Sequence, residues 1–413
     1  MTGLSFADAV NTDDYILCES LDDVGGYCQT VFQDGFVWDY SGHFFHFRNK
    51  DIEEELVSRI GKDRVRTINK DSRIYWRDHI IDFPFQKNIH QLPKDEFIEC
   101  LVDVYEADQA QRDGQAPKNF GEMLSAKFGR ATAEKFLIPY NEKLYATDLS
   151  SLDVDAMGRF FPYANFDDII RGFRSSDNAS YNSTFTYPDG GAIEYVRAVQ
   201  SGVKPDNIRL NTAVTSIDLS KKVADTTNGT IEFETLVSSA PFPRLLDLCG
   251  VPYEPGTYSY NKVLVFNLGF NKKGPEKVHW MYFPQRDVCF YRAGFYDNIF
   301  NTERLSLYIE IGYPADGIVD NEVVERMRLQ VLDDLKRCGI ISDHELVSWH
   351  TITLDPAYVH ITENSIKAVE QHKAKLSEHG VYSIGRYGSW TYCSIEDNII
   401  EARALLDQLG ARA

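Results

Sequence analysis

The stretch from Ile16 to Thr30 places the strongest constraint on how this chain can fold. A short apolar segment, Tyr15–Cys18, has the pattern of a β-strand, and the acidic residue Glu19 follows it directly. The glycine pair Gly25-Gly26 comes six residues later. In a dinucleotide-binding fold, a carboxylate at the end of the second strand accepts hydrogen bonds from ribose hydroxyls, and glycines let backbone N–H groups approach a phosphate. The stretch therefore predicts a fold of that kind.

The glycine-rich motif that normally precedes such an acid is only partly present. The complete motif is a strand, the pattern G-x-G-x-x-G and a helix. Here Gly3 has the position of the last glycine, and a short helical pattern over Leu4–Val10 follows it. Gly3 precedes Glu19 by 16 residues, and the first glycine of a complete motif would lie about 5 residues earlier. The sum, about 21, agrees with the usual separation of about 20 residues between the first glycine and the acid. We expect an α/β fold with a Rossmann-type domain that lacks its first strand.

Composition and charge exclude several functional classes. A length of 413 residues predicts more than one domain. The net charge of −19 argues against nucleic acid and against an anionic membrane surface as partners. The seven cysteines are scattered without a C-x-x-C pair, which is typical of reduced thiols in a cytoplasm, and no apolar run is long enough to span a membrane. We expect a cytoplasmic protein without membrane insertion and without a metal site.

The last 40 residues contain a second candidate ligand site. An apolar strand ending at Ile384 leads into Gly385-Arg386, a loop with glycine and aromatic residues, and a helix that begins near Ser394. Backbone amides at a helix start suit an anion or a flavin pyrimidine oxygen, and Arg386 adds a fixed positive charge beside them.

Two earlier segments carry further candidate ligand-binding side chains. Ser41-Gly42-His43 follows a predicted hairpin whose turn is at Asp34-Gly35. The segment 82–88, DFPFQKN, combines aromatic and amide side chains, which stack on bases and read their edges. Periodicity predicts a single strand over Ser72–Ile81, a helical block over Ala156–Pro162 and a long helix over Asn321–Cys338.

Five segments in this order resemble the flavin-dependent UDP-galactopyranose mutases of the eukaryotic-type branch, within the superfamily of amine-oxidase and protoporphyrinogen-oxidase-like FAD proteins. They read DVGGYCQT, SGHFFHF, FPFQKN, CFYRA and GRYGSWTY, and the likeness runs from Gly3 to about Ala404. The resemblance implies an intramolecular transferase that interconverts UDP-galactopyranose and UDP-galactofuranose, for cell-surface polysaccharide biosynthesis. It implies reduced FAD, whose N5 attacks the anomeric carbon as UDP leaves. NAD(P)H is a candidate reductant, and a homo-oligomer is a candidate assembly.

The resemblance also assigns roles to individual residues. The implied cofactor-binding positions are Gly3, Glu19, Gly25, Gly26, Gly42, His43, Gly385, Arg386, Asp397 and Asn398. The implied substrate-binding positions are Phe85, Gln86, Phe136 and Asn141 for the uridine, with Tyr145, Arg159, Arg292, Tyr358 and Tyr392. Arg159 and Arg292 would clamp the diphosphate, for which a bidentate guanidinium is well suited. His43 and Arg386, beside the flavin, are the implied catalytic residues.

The chain departs from the family at several of these positions. Ser41 stands where the family usually has a glycine beside the histidine, and Phe83 replaces a common tyrosine. Tyr145 stands where the branch often has tryptophan. Ile299 falls where a further diphosphate-binding tyrosine is expected, so one donor is lost.

The order of the motifs predicts how the domains are assembled. Residues 1–50, 205–250 and 375–413 would form the FAD-binding Rossmann-type domain, and residues 93–180 a helical substrate domain. Residues 51–92, 181–204 and 251–374 would form an antiparallel sheet domain with helices. Two alternatives remain open: an FAD-dependent oxidoreductase of the amine-oxidase or desaturase type, and a truncated remnant deficient in FAD. The two clamp arginines favour the mutase, because an apolar or amine substrate has no use for them.

Overall fold

The structure, a computed structural model, describes residues 1–114, 116–174 and 183–410. The strands in these ranges are β1 (Leu17–Cys18), β2 (Thr30–Gln33), β3 (Phe36–Asp39), β4 (Val65–Asn69), β5 (Ser72–Trp76), β6 (His79–Asp82), β7 (Thr184–Pro188), β8 (Ile208–Arg209), β9 (Val214–Asp218), β10 (Val223–Thr226), β11 (Gly229–Glu232), β12 (Leu236–Ser238), β13 (Asn261–Phe270), β14 (Trp280–Tyr282), β15 (Arg292–Phe295), β16 (Ser306–Pro314), β17 (Leu346–Leu354) and β18 (Val381–Ser383).

The helices surround these strands. They are α1 (Thr2–Ala9), α2 (Lys50–Ile60), α3 (Lys94–Asp113), α4 (Phe120–Phe128), α5 (Arg130–Thr132), α6 (Ile138–Tyr145), α7 (Phe166–Gly172), α8 (Ile193–Gln200), α9 (Phe242–Leu248), α10 (Tyr296–Phe300), α11 (Asn321–Arg337), α12 (Glu363–Ser377), α13 (Gly385–Gly388) and α14 (Ile395–Leu409). Within the ranges that the structure describes, none of them has the length and apolar character needed to cross a bilayer.

A seven-stranded mixed sheet, in the order β17-β13-β16-β15-β14-β5-β6, supports one side of the site. Its neighbours are antiparallel except for the parallel pair β14–β5. Alternate residues of a strand point to opposite faces. In β16, Leu307 and Ile309 pack in the core cluster that includes residues of α11, whereas Tyr308 joins the cluster of the helical insertion. The sheet therefore separates two cores, and the even-numbered residues of β16 face the site.

Two short parallel strand pairs, β1–β8 and β12–β18, include the strands near the start and the end of the chain. Each pair joins strands that are far apart in the sequence, as in α/β folds with crossover connections. Helices α1 and α14 pack against each other beside them. The predicted α/β class is confirmed, whereas the predicted domain boundaries stay a prediction.

The helices α3 to α7 form an insertion between β6 and β7. Their buried aromatic residues, among them Phe120, Phe128 and Phe136, belong to one core cluster with Trp280 and Tyr308 of the large sheet. A π-helical turn over Ala133–Leu137 leads into α6. This packing fixes the insertion on the sheet face that carries the candidate site.

Several elements predicted from periodicity are confirmed. The helix after Gly3 is α1, and the long helix is Asn321–Arg337. The turn between β2 and β3 lies at Asp34-Gly35, where both residues have positive φ, 51° and 78°.

Two predicted elements are wrong. Ser72–Ile81 is not one strand but the hairpin β5–β6, whose turn residues Arg77 and Asp78 have φ of 40° and 59°. Such a turn usually contains Asn-Gly or Asp-Gly. Neither pair is present here, so the alternation of apolar and polar residues continues across the turn. The block around Arg159 is only a 3-10 turn, Gly158–Phe160, because Gly158 takes a left-handed φ of 50° that interrupts a helix.

Candidate active site

One large cavity of ≈ 2460 Å³ lies between the two parallel pairs, the helical insertion and the large sheet. Pockets for drug-sized molecules have about 300–1,000 Å³, so this cavity has room for more than one such ligand. The predicted site residues that line it are Gly3, Glu19, Gly25, Gly26, Gly42, His43, Phe136, Asn141, Arg159, Arg292, Tyr358, Arg386, Tyr392 and Asn398. The others, which lie outside its lining, are Phe85, Gln86, Tyr145, Gly385 and Asp397.

The first part of the cavity wall is the end of β1 and the loop after it. The Glu19 carboxylate accepts hydrogen bonds from the Leu21 amide (3.0 Å) and the Ser20 hydroxyl (3.2 Å), which hold it at the strand end. Gly25 and Gly26 have φ of 121° and 59°, a backbone that favours glycine. A Cβ on Gly26 would meet no atom within 4 Å, so its backbone borders open space.

Gly3 is less constrained than its place in a fingerprint implies. A Cβ added to Gly3 would lie 3.8 Å from the Ser239 hydroxyl oxygen, an ordinary contact distance. Packing of α1 therefore does not by itself demand glycine there.

His43 stands in the wall as a neutral imidazole. Burial, followed by the positive charge of Arg386, lowers its pKa from 6.5 to about 4. Its Nδ1 atom is buried and has no hydrogen-bond partner within residues 1–114, 116–174 and 183–410. A neutral imidazole can accept a hydrogen bond from a bound group or donate one to it, but it carries no charge near neutral pH.

The C-terminal segment ties the ends of the chain together. Asn398 Oδ1 accepts hydrogen bonds from the Thr2 hydroxyl and from the Arg386 amide, both at 2.9 Å. Gly385 has a φ of 87°, and a Cβ there would overlap the Thr2 hydroxyl. The Arg386 guanidinium lies over the rings of Tyr358 and Tyr392, 5.2 and 4.7 Å from their centroids.

The start of α14 is occupied by its own side chains. Ser394 and Asp397 form a capping box, in which each side chain accepts a hydrogen bond from the other residue's amide. The Asp397 carboxylate also forms an ion pair with Arg159 at 2.5 Å. Asp397 therefore acts as a cap and an arginine partner in the structure.

Arg292 lies deeper in the wall than Arg159. Its Nε and Nη2 atoms both lie 2.7 Å from Glu310 Oε2, and Nη2 donates to the Tyr358 hydroxyl at 3.4 Å. The Tyr358 and Tyr392 rings are stacked, with centroids 5.7 Å apart. Both arginines reach the same cavity, and their proposed convergence on one diphosphate stays a prediction.

The residues assigned to the uridine divide between the wall and the layer behind it. Phe136 stacks on the fully buried Phe85, with centroids 5.0 Å apart. The amide of Gln86 donates to the Pro162 carbonyl, and that of Asn141 donates to the Leu137 carbonyl at 2.7 Å. The buried acceptors without a partner in the described part of the chain include Gln86 Oε1, Asn141 Oδ1 and the Tyr145 hydroxyl.

Three residues that the sequence did not single out belong to this site. Glu310 is 1 % exposed and holds Arg292. Lys70 lines the cavity, and burial lowers its pKa to about 8. Tyr308 lies beside Gly42. Glu310 could have been found from the sequence, because it is the one acidic residue in the apolar strand sequence SLYIEIGY.

The fold and this cavity, which glycine turns and arginines both line, define an α/β protein with one large ligand-sized cavity. The chain belongs to the family of flavin-containing amine oxidoreductases, whose family model matches residues 1–397.

Solved structures resemble this fold over nearly its whole length. The crystal structure of reduced UDP-galactopyranose mutase has a TM-score of 0.89 and 23% identity, covering 99% of this chain and 92% of that chain. Cyclohexylamine oxidase from Brevibacterium oxydans has a TM-score of 0.67 and 14% identity, covering 99% and 97%. A CLA-producing fatty acid isomerase from P. acnes has a TM-score of 0.67 and 14% identity, covering 98% and 96%. These similarities confirm the predicted fold class.

Proposed function

We propose that this chain binds FAD and interconverts the pyranose and furanose forms of a UDP-sugar, in the manner of a UDP-galactopyranose mutase. The observation that carries the proposal is the concentration of Arg159, Arg292 and Arg386 on one cavity in a chain of net charge −19. A diphosphate needs such local positive charge, and arginine can hold it with two parallel hydrogen bonds.

The residues of β1 and the loop after it, which line the same cavity, fit FAD. Glu19 lies at a strand end, where a carboxylate can accept from ribose hydroxyls, and the Gly25-Gly26 backbone borders open space. The imidazole of His43 lines the same wall. When bound in reduced form, FAD would supply the nucleophilic nitrogen for exchange of the sugar between UDP and the cofactor.

On the substrate side, the chain's own residues would bind and orient the nucleotide. Phe136 and Asn141 both line the wall, and an aromatic ring with an amide suits a uracil. Arg159 is about one-third exposed and holds Asp397, which a diphosphate would have to displace. Arg292 is held by Glu310 and can keep its position when a ligand arrives.

Oxidation of an amine is the second candidate, because the matching family and one structural relative carry that description. Aromatic faces such as those of Tyr358 and Tyr392 can bind an ammonium group. Here the Arg386 guanidinium already lies over both rings. The charge of Arg386 would also repel an ammonium ion at these rings, so the anionic substrate is the better fit.

We further propose NAD(P)H as the reductant, a cytoplasmic location and a role in supplying galactofuranose for cell-surface polysaccharides. A homo-oligomer is the proposed assembly. Each of these follows from the resemblance of the sequence motifs, and none is needed for the site chemistry above.

Titration of the FAD-loaded protein with UDP, followed by intrinsic fluorescence, tests the proposal. Arg159→Ala should weaken UDP binding about tenfold or more, and Arg159→Lys should also weaken it because the planar fork is lost. Arg403→Ala is the matched control, since Arg403 forms a similar ion pair with Glu55 at 2.7 Å. If Arg159→Ala binds UDP as tightly as Arg403→Ala does, the nucleotide-sugar assignment is wrong and amine oxidation takes its place.

A further inference from the structure

Strand β16 presents three side chains to the segment that leads to His43. Residues of one strand at alternate positions share a face. On this face, the Ser306 hydroxyl accepts a hydrogen bond from the Trp38 indole at 2.9 Å. Tyr308 and Glu310 follow on the same face and contact the next residues of the segment. The strand thus supports the whole segment from β3 to His43.

Tyr308 fixes the middle of this segment by shape. Its hydroxyl accepts a hydrogen bond from the Trp280 indole, which lies two strands away. The ring crosses Gly294 on the strand between, and a Cβ at Gly294 would overlap the ring. A Cβ at Gly42 would overlap the Tyr308 hydroxyl. Gly42 therefore packs its backbone directly on Tyr308.

Glu310 fixes the same segment by charge. One of its carboxylate oxygens accepts a hydrogen bond from the Ser41 hydroxyl, and the other accepts from Arg292. Glu310 and Arg292 are direct partners in the β15–β16 pairing, so the backbone register holds this contact. Hydrogen bonds to a charged group are about twice as strong as neutral ones.

This arrangement leaves Arg292 both anchored and able to bind. Its Nη1 group has no hydrogen-bond partner in the part of the chain that the structure describes, and Arg292 lines the cavity. The Ser41 hydroxyl is an addition of this chain, since the family that the sequence resembles usually has glycine there. A single buried carboxylate thus connects the arginine with the residue two positions before His43.

We propose that Glu310 is a positioning residue that acts through Ser41. It fixes the position of Arg292 relative to residues 41–43, here called the His43 segment. An anion bound at Arg292 therefore stabilises the His43 segment. The identity of that anion as a nucleoside diphosphate rests on the proposed function, whereas the connection itself does not.

Hydrogen exchange of the protein without ligand tests the connection. The amides of Tyr40 and Phe45, which flank residues 41–43 and donate to the Gln29 and Thr186 carbonyls, should exchange about tenfold faster in Ser41→Ala, the equivalent of losing about 1.4 kcal/mol of a charge-assisted hydrogen bond. Ser41→Thr keeps a hydroxyl and should restore slow exchange. Ser216→Ala is the matched control, because Ser216 donates to the Asp225 carboxylate at 2.8 Å on an exposed strand. Unchanged exchange of the Tyr40 and Phe45 amides in Ser41→Ala would overturn the proposal.

A second arm uses UDP as the probe. Saturating UDP should slow exchange of the Tyr40 and Phe45 amides in the parent but not in Ser41→Ala, while the Kd for UDP changes less than threefold. In turnover, Ser41→Ala should lower kcat about tenfold with KM nearly unchanged. In a Glu310→Gln background, Ser41→Ala should have a smaller effect on exchange than in the parent, since the neutral amide is a weaker acceptor for the Ser41 hydroxyl. An effect as large as in the parent would refute that path.

The two proposals fail differently. If the parent does not bind UDP, the proposed function fails, and the ligand-free exchange still decides whether Glu310 and Ser41 hold the His43 segment. If Glu310→Gln does not fold, the comparison of Ser41→Ala with Ser41→Thr decides alone. If UDP slows exchange equally in the parent and in Ser41→Ala, the connection is refuted although UDP binding stands.

Discussion

Replacing Arg292 by methionine should destabilise the protein strongly, because it leaves Glu310 as a buried charge. The side chains of Arg292 and Glu310 are 16% and 1% exposed, so water cannot replace the lost guanidinium. Removing one partner of a buried ion pair costs about 3–5 kcal/mol. At about 2.1 cal/mol/K of unfolding entropy per residue, a chain of 413 residues shifts by about 1.2 °C per kcal/mol, so the melting temperature should fall by roughly 3–6 °C.

The double variant Arg292→Met/Glu310→Gln should recover most of that loss. Replacing both members of a buried pair by neutral residues is often neutral or stabilising. Thermal melting followed by circular dichroism measures both variants beside the parent. UDP binding should remain weak in the double variant, which separates the stability role of Arg292 from its binding role.

The penalty in Arg292→Met should also depend on pH in a defined direction. In the parent, burial alone would raise the pKa of Glu310, but Arg292 and the Ser41 hydrogen bond bring it below 4.5. Without Arg292, burial raises the pKa of Glu310 in the folded state. The stability penalty therefore grows as the pH rises above the pKa that this glutamate has in the unfolded chain. The gap from the parent should be smaller at pH 5 than at pH 8.

The matched control is Arg197→Met, which breaks an ion pair with Asp23 in which the two side chains are 43% and 36% exposed. Its loss should be much smaller, because water can solvate the carboxylate left behind. Equal losses at Arg292 and Arg197, no rescue in the double variant and a gap independent of pH would together refute the buried-pair reasoning.

Three further predictions concern single residues around the cavity. Asp397→Asn can keep the helix cap but removes the carboxylate that competes for Arg159, so UDP should bind about twofold to fivefold more tightly by titration. The pKa of His43 is lowered to about 4, so the unfolded state binds more protons than the folded state between pH 6.5 and 4. Stability should therefore decrease as the pH is lowered through this range, and His43→Phe should make the decrease in melting temperature shallower. Gly385→Ala should reduce both the bound flavin, measured by absorbance, and the melting temperature. Gly250→Ala is the control and should have a smaller effect, because both glycines have positive φ but only Gly385 has a neighbour that a Cβ would overlap.

Local chemistry allowed part of this site to be located from the sequence. Glu19 and the Gly25-Gly26 pair follow a strand directly, so their place on the cavity wall needs only the strand and the turn. The same holds for Arg386, which follows β18 by three residues. Their roles toward FAD stay predictions.

Other parts depended on contacts between distant segments. The pairing of Arg292 with Glu310 follows from the register of β15 on β16, which residue types alone do not encode. Gln86 and Tyr145 were assigned to a binding surface, but the helical insertion buries them behind the wall. The hairpin at Arg77-Asp78 was missed because neither residue is glycine or asparagine.

The most direct test of the proposed mutase activity is conversion of UDP-galactofuranose by the reduced, FAD-loaded protein, with the products separated by chromatography. We predict that UDP-galactopyranose forms under reducing conditions and does not form with oxidised FAD. A matched incubation with cyclohexylamine and oxygen should give no hydrogen peroxide. Absence of UDP-galactopyranose from a reduced, flavin-loaded sample, together with peroxide from the amine, would contradict the assignment and identify an oxidase.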